Sequence, residues 1–382
     1  MSEAADLLAQ LIRIDSSNPD LVVGAAGEAA IGDFIEQWFT SNEFEVHRLE
    51  KHSGRPSIVG ISRGTGSGKS LMLNGHIDTV SLGSYDGNGL DPVIRDGKMF
   101  GRGSFDMKGG IAAMMIAAKE AKLSGHSGDI YVACVADEEA ASFGTEEVLE
   151  HFRTDAGLVI EPSYLQVTMS HKGFVWFDVE IHGRAAHGSR PELGIDAIAK
   201  AGYFLVALEA YAKELITKPD PILGPGTVHA SVISGGEEAS SYPAQCRITL
   251  ERRTIPGESS ESVEKELKAI LDGLAKSVED FSYTLVPGLA RNSFKADPHS
   301  EIAQLTMRHL GDALGHVPHV RAEPFWTDCA LLDQAGIPCL LFGVDGDGAH
   351  AASEWVTLDS LEIVTNTLKN IILDFCQTTN SD

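Results

Sequence analysis

Cysteine is scarce. Five residues, at 134, 246, 329, 339 and 376, are scattered through 382 positions with no Cys-x-x-Cys pair. The odd count and wide spacing exclude a disulfide frame or a thiolate metal site, and favour free, packed thiols in a reducing cytoplasm. Long apolar runs are also missing: none approaches the ~20 residues of a membrane-spanning helix. Positive charge is short as well. Thirty bases against 55 acids leave a net charge of −25, which excludes nucleic-acid binding through a broad basic face. The opening MSEAADLLAQLIRID carries acids where a secretory signal has a basic region, and reads as a short amphipathic helix. There is no internal repeat and no low-complexity tract.

What remains is an ordinary globular composition, 43% apolar and 22% charged, long enough for two or three domains at about 150 residues each. Strand and helix signals alternate through the first 160 residues, the pattern of an α/β sheet with helices on its faces. Buried strands are expected at Ser70–Asn74, Ile130–Ala136, Gly157–Ile160 and Pro338–Val344, and a helix from about Met107 to Leu123. The middle reads differently. Strands at Phe174–His182, Thr227–Ser234, Gln245–Arg253 and near Phe281–Val286 interleave with helices at Ile195–Leu215 and Glu258–Val278. That order, β-α-β-β-α-β, is a ferredoxin-like unit. Residues 171–287 are therefore expected to be a domain inserted into a larger α/β domain of 1–170 and 288–382.

Two motifs are decoys. Gly64 to Ser70 resembles a phosphate-binding loop, but Arg63 stands where that motif needs glycine, and the segment precedes a strand; a hairpin turn is expected. Asp86-Gly-Asn-Gly and Asp345-Gly-Asp-Gly lack the bidentate glutamate of a calcium loop and read as turns.

The chemistry lies at strand ends. His76-Ile-Asp78, Asp137-Glu138-Glu139 and Glu161 each follow an expected strand, His350 lies in the loop after Cys339–Val344, and Asp106 stands just before the Met107 helix. Ligands of open α/β sheets bind at the carboxyl ends of strands, so these segments can share one crevice. Two histidines with several carboxylates and no thiolate suit zinc, cobalt or manganese, and one carboxylate can bridge two such ions. Asp78 could hold the second nitrogen of His76. Of Glu138 and Glu139, one could take metal and the other serve as a general base. Singly, each is unremarkable, since an acidic triplet after a strand is usually a helix cap; their ordered joint occurrence carries the reading.

With GHIDTV (75–80), GRGSFDMKGG (101–110), DEE (137–139), IEP (160–162), GRAAHGSRPELG (183–194), ERRTIPGE (251–258) and GAHAASEWV (348–356), the chain resembles the M20 metallopeptidase and deacylase family. That group includes acetylornithine deacetylase, succinyl-diaminopimelate desuccinylase, aminoacylase and glutamate carboxypeptidase. The resemblance implies a zinc-peptidase-like α/β catalytic domain with an inserted lid and dimerisation domain. It implies that His76 and Glu161 complete one metal's shell and Glu139 and His350 the other's, with Asp106 bridging, Asp78 as supporting acid and Glu138 as the base that activates water. His187 matches a lid histidine that reaches a partner protomer's site to stabilise the oxyanion, which implies a homodimer. Arg253 matches a lid arginine that meets the substrate carboxylate, and neighbouring Arg252 could do the same.

The expected function is hydrolysis of an N-acyl amino acid, acetylornithine-deacetylase-like, by a cytoplasmic dinuclear-metal amidohydrolase binding small molecules, with no membrane or nucleic-acid partner. The alternatives are a metallo-dipeptidase or carboxypeptidase, and a non-catalytic metal-binding relative. Ser240 and Ser241 stand where relatives often carry asparagine, DEEAASFGT delays the usual glycine, and GVDGDGAH replaces a common Gly-Pro. These departures leave the metal set intact and bear on which acyl group and amine are accepted.

Overall fold

The computed structural model describes residues 1–377 and divides into two compact units. Unit 1 comprises Met1–Met169, Ala296–Arg321 and Thr327–Asp382. Its large sheet runs, in spatial order, Glu45–Leu49, Ser57–Ser62, Ile130–Val135, Leu71–His76, Ala156–Val159, Cys339–Leu341 and the strand beginning at Val167. Leu71–His76 is buried throughout, as expected of a strand covered on both faces. The helix Lys108–Ser124 is buried along most of its length and packs against Leu358–Phe375 and Glu3–Ile12. Its Ile111, Met114, Met115 and Ile116 each contribute about 1.5–3 kcal/mol by leaving water. The expected strands and this helix are present, with ends shifted by at most three residues.

The Gly64–Ser70 segment is not a hairpin. Ile130–Val135 lies between Ser57–Ser62 and Leu71–His76, antiparallel to the first and parallel to the second. The segment is a crossing turn held by Thr65 and Gly66 N–H groups on the carbonyls of His126 and Ser127, and Lys69 pairs with Glu301. All five cysteines are buried and free, and no helix among the described residues is long and apolar enough to cross a membrane.

Unit 2 comprises Ser170–Lys295 and Ala322–Trp326. Its antiparallel sheet runs Thr227–Gly235, Gln245–Thr254, Gly173–His182, Ser282–Arg291, with helices Ala197–Leu215 and Ser260–Ser277. The chain order is β-α-β-β-α-β. Alternate residues of the inner strand Gly173–His182 are buried, and Val175, Phe177, Val179 and Ile181 meet Phe204, Leu208, Leu267 and Leu271 in one core. The unit continues past 287 because the fourth strand runs to Arg291. Trp326 joins it by packing edge-on to Phe174 and donating to the Asn292 carbonyl.

Candidate metal centre

Parallel pairing sets the site. Leu71–His76 lies between Ile130–Val135 and Ala156–Val159, parallel to both, so three chains leave the sheet at one edge and deliver His76 to Asp78, Asp137 to Glu139, and Glu161 together. A small sheet supplies the rest. Gly346–Asp347 and Trp355–Thr357 form a hairpin whose loop carries His350, and Trp355 pairs with Phe100, just before the turn to Asp106.

That turn is held by a residue outside the expected set. Glu354, 1% exposed, accepts hydrogen bonds from Arg102 Nη1 and the N–H groups of Gly103 and Phe105, all at 2.9 Å, and from Asp106 N–H at 3.0 Å. A close approach fixes the other side: a Cβ at Gly110 would fall 2.1 Å from the carbonyl oxygen of Ile160, so glycine lets the helix after Asp106 rest on the backbone leading to Glu161.

Asp106 stands between the imidazoles. Its Oδ1 is 3.2 Å from His76 Nε2 and its Oδ2 is 3.5 Å from His350 Nε2. His76 Nε2 is also 3.4 Å from Glu161, and His350 Nε2 is 2.9 Å from Glu139. Ligand atoms of His76, Asp106 and Glu139 lie within 4.8 Å of one another, as do those of His76, Glu138 and Glu161. His76 Nδ1 meets the backbone carbonyl of Asp78 at 2.9 Å. As donor to that carbonyl, Nδ1 carries the proton and Nε2 keeps its lone pair for a cation. The Asp78 carboxylate sits further off, at 3.5 Å. Its closer work is on the acidic loop, where it accepts the N–H groups of Glu138 at 3.1 Å and Glu139 at 3.2 Å, and Asn18 Nδ2 at 2.8 Å.

Below it lies a buried charged layer. Arg55 donates to Glu28 and to Asp137, Asn18 bridges Asp137 and Asp78, and Asp137 adopts φ +69°. Its carbonyl gathers the N–H groups of Ala140, Ala141 and Ser142, which turns Glu138 and Glu139 toward the histidines.

Electrostatics mark the site as short of positive charge. Burial raises the pKa values of Glu138 and Glu161 well above the carboxylate range, and neighbouring carboxylates add to the effect. Bonds to Asp106 and Glu139 raise His350 to about 10. Burial works against His76, yet Glu161, Asp106 and Asp78 hold it well above the usual imidazole value. Oxygen and imidazole donors without a thiolate suit zinc, cobalt or manganese, and divalent cations would relieve this crowding.

Residues 72–374 match the family model described as peptidase family M20/M25/M40. The chain belongs to this family. It is 29% identical over 328 residues to an acetylornithine deacetylase of Myxococcus xanthus, covering 84% of each chain. In fold it resembles aminopeptidase PepT of Bacillus cereus, with TM-score 0.79, 19% identity and 98% of each chain covered. It also resembles the YXEP protein of Bacillus subtilis, described as a dinuclear metal binding peptidase from the M20 family, with TM-score 0.74, 15% identity and 97% and 98% of the two chains covered. As an M20 member, the protein is a hydrolase of amide or peptide bonds.

The structure gathers His76, Asp78, Asp106, Glu138, Glu139, Glu161 and His350 of this M20 chain in unit 1. His187 and Arg253 lie in unit 2. His187 is exposed on the turn after Gly183, paired with Ser241. Arg253 lies over the Phe174 ring, and its fork already holds Glu251 through Nε at 2.8 Å and Nη2 at 3.2 Å. Arg252, expected as an alternative to Arg253, is fully buried and bound to Glu258, the Arg253 carbonyl and the Tyr211 hydroxyl. Strand alternation already carried that signal, since Cys246, Ile248 and Leu250 put the 252 side on the core. Sequence reasoning also missed Glu354, Asn18, Arg55 and Asp328. Asp328 accepts from Thr145 at 2.6 Å, and its charge helps raise Glu138 and Glu161.

Proposed function

We propose that the protein is a dinuclear-metal amidohydrolase that cleaves N-acyl amino acids, in the manner of an acetylornithine deacetylase, with Glu138 as general base. The supporting observation is Asp106, one carboxylate oxygen toward each imidazole. In this reading His76 and Glu161 would hold one ion and Glu139 and His350 the other, with Asp106 available to both. The ions, zinc by the donor set with cobalt or manganese as substitutes, would polarise the amide carbonyl and lower the pKa of water.

Glu138 lies beside Glu161 and His76, placed to take a proton from water and return it to the leaving amine. Asp78 fixes the backbone N–H groups of Glu138 and Glu139, so the base and a ligand move as one piece. His187 donates to the developing oxyanion, and Arg253 meets the substrate carboxylate by exchanging Glu251 for it. The exposed edge strand Thr227–Gly235, with Val232 60% and Ile233 53% exposed, supports a homodimer built on unit 2. Five free buried thiols support a cytoplasmic setting.

The test is amine release by zinc- or cobalt-loaded protein from N-acetyl and N-succinyl amino acids and dipeptides, against a chelated control. Chelator-sensitive release from one acyl class is expected; release from dipeptides alone would install the peptidase reading instead. Glu138→Ala should abolish turnover with metal content near wild type, and surviving activity would sink the base assignment.

A further inference from the structure

His187 carries a constraint that His76 does not. The backbone N–H of Ser189 donates to His187 Nδ1 at 3.2 Å, and the Ser189 hydroxyl lies 2.8 Å from the same nitrogen. A backbone N–H can only donate, so Nδ1 must accept, and the ring proton sits on Nε2. With Nδ1 unprotonated, the serine hydroxyl also donates to it. His76 is the reverse case: its Nδ1 donates to the Asp78 carbonyl, and its Nε2 faces Asp106. The chain thus fixes one imidazole through a bond given by Nδ1 and the other through bonds accepted by Nδ1.

The turn beneath His187 is itself fixed. Gly188 N–H donates to the Ser240 carbonyl at 2.7 Å, Tyr242 N–H to the Ala186 carbonyl at 2.8 Å, and Arg190 N–H to the carbonyl of His187 at 2.7 Å. A Cβ at Gly188 would stand 2.9 Å from the Ser240 oxygen. The backbone is therefore set by the 240–242 segment, and the ring by Ser189. Nε2 makes no bond among the described residues.

We propose that Ser189 is a positioning residue that holds His187 as the Nε2–H tautomer and fixes its ring, so that a neutral donor is presented to a carbonyl becoming an oxyanion. This rests on the oxyanion role of His187 proposed above. A ring of the other tautomer would offer a lone pair there and repel the developing charge.

The test uses zinc-loaded protein with ¹⁵N-labelled histidine, at a pH where imidazole is neutral, with the His187 signals identified by their loss in His187→Gln. Wild type should show Nε2 protonated and Nδ1 bare. Ser189→Ala keeps the backbone N–H, so Nε2 should stay protonated, but Nδ1 loses its shorter hydrogen bond and its resonance should move away from the wild-type position. The substitution should also lower kcat about two- to tenfold, the loss of one hydrogen bond, with KM little changed. Ser189→Thr should restore both readings. A protonated Nδ1 in wild type overturns the proposal, and so does an unchanged kcat in Ser189→Ala while His187→Ala is inactive. Full activity in His187→Ala would instead remove the oxyanion role, and with it the proposal, whatever the spectrum shows.

Discussion

Replacing Glu354 with glutamine tests how the Asp106 turn is held. The two carboxylate oxygens divide four donors: Oε2 takes Arg102 Nη1 and Gly103 N–H, and Oε1 takes Phe105 and Asp106 N–H. A glutamine keeps one acceptor oxygen and turns an NH₂ group toward the remaining donors. In one orientation Phe105 and Asp106 lose their acceptor; in the other, Gly103 and Arg102 lose theirs. Both side chains of the Arg102–Glu354 pair are 1% exposed, so water does not substitute readily. A buried donor left without a partner costs about 1–3 kcal/mol, and a buried charge stripped of its counter-charge about 3–5 kcal/mol. These penalties overlap, because the turn would shift to relieve both.

Glu354→Gln should therefore lose about 3–5 kcal/mol in urea unfolding of the metal-stripped protein. After reconstitution it should retain less zinc than wild type, since Asp106 sits at the end of the disturbed turn. A wild-type midpoint together with full metal content would refute the reasoning. It would mean the four donors have other acceptors and Glu354 does not hold the turn.

Zinc binding to the stripped protein should release protons at neutral pH. His350 is raised to about 10, so it carries a proton there that a metal must displace, and His76 is shifted in the same direction by Glu161, Asp106 and Asp78. Calorimetric heats in buffers of different ionisation enthalpy measure the release; heats independent of buffer would contradict it. Affinity should fall as pH drops, because protons compete for the same nitrogens. Gly110→Ala should separate the Asp106 helix from Ile160 and lower metal retention at least tenfold, ~1.4 kcal/mol, by competition with a chelator; unchanged retention would show that the helix shifts harmlessly. Val232→Lys with Ile233→Lys should turn the proposed dimer into a monomer in light scattering, because two charges would have to be buried along the edge strand; a dimer that persists would place the interface elsewhere, and a monomeric wild type would remove the dimer.

Local signals made much of this molecule legible. Apolar runs ending in His76, Asp137 and Glu161 located three strand ends, and parallel pairing then brings those ends to one edge, so the gathering of these side chains was readable from position, while their roles rested on the family resemblance. The order β-α-β-β-α-β, with alternation through Phe174–His182, pointed to the second unit from sequence. What escaped depends on neighbours distant in the chain. The 64–70 segment read as a hairpin because nothing between Ser62 and Leu71 announces that Ile130–Val135 will enter between the two strands. Glu354 gave no sign of its partners, which are backbone N–H groups about 250 positions earlier, brought to it by the pairing of Trp355 with Phe100. Asn18 and Arg55 sit in unremarkable sequence, yet they join Asp78 to Asp137 through contacts 60 to 119 positions apart. The division follows from physics: a candidate metal ligand must be one of a few residue types, and three of those here also follow strands, which sequence displays. A residue that holds the ligand in place needs only a hydrogen bond from the right direction, and that direction exists only after folding.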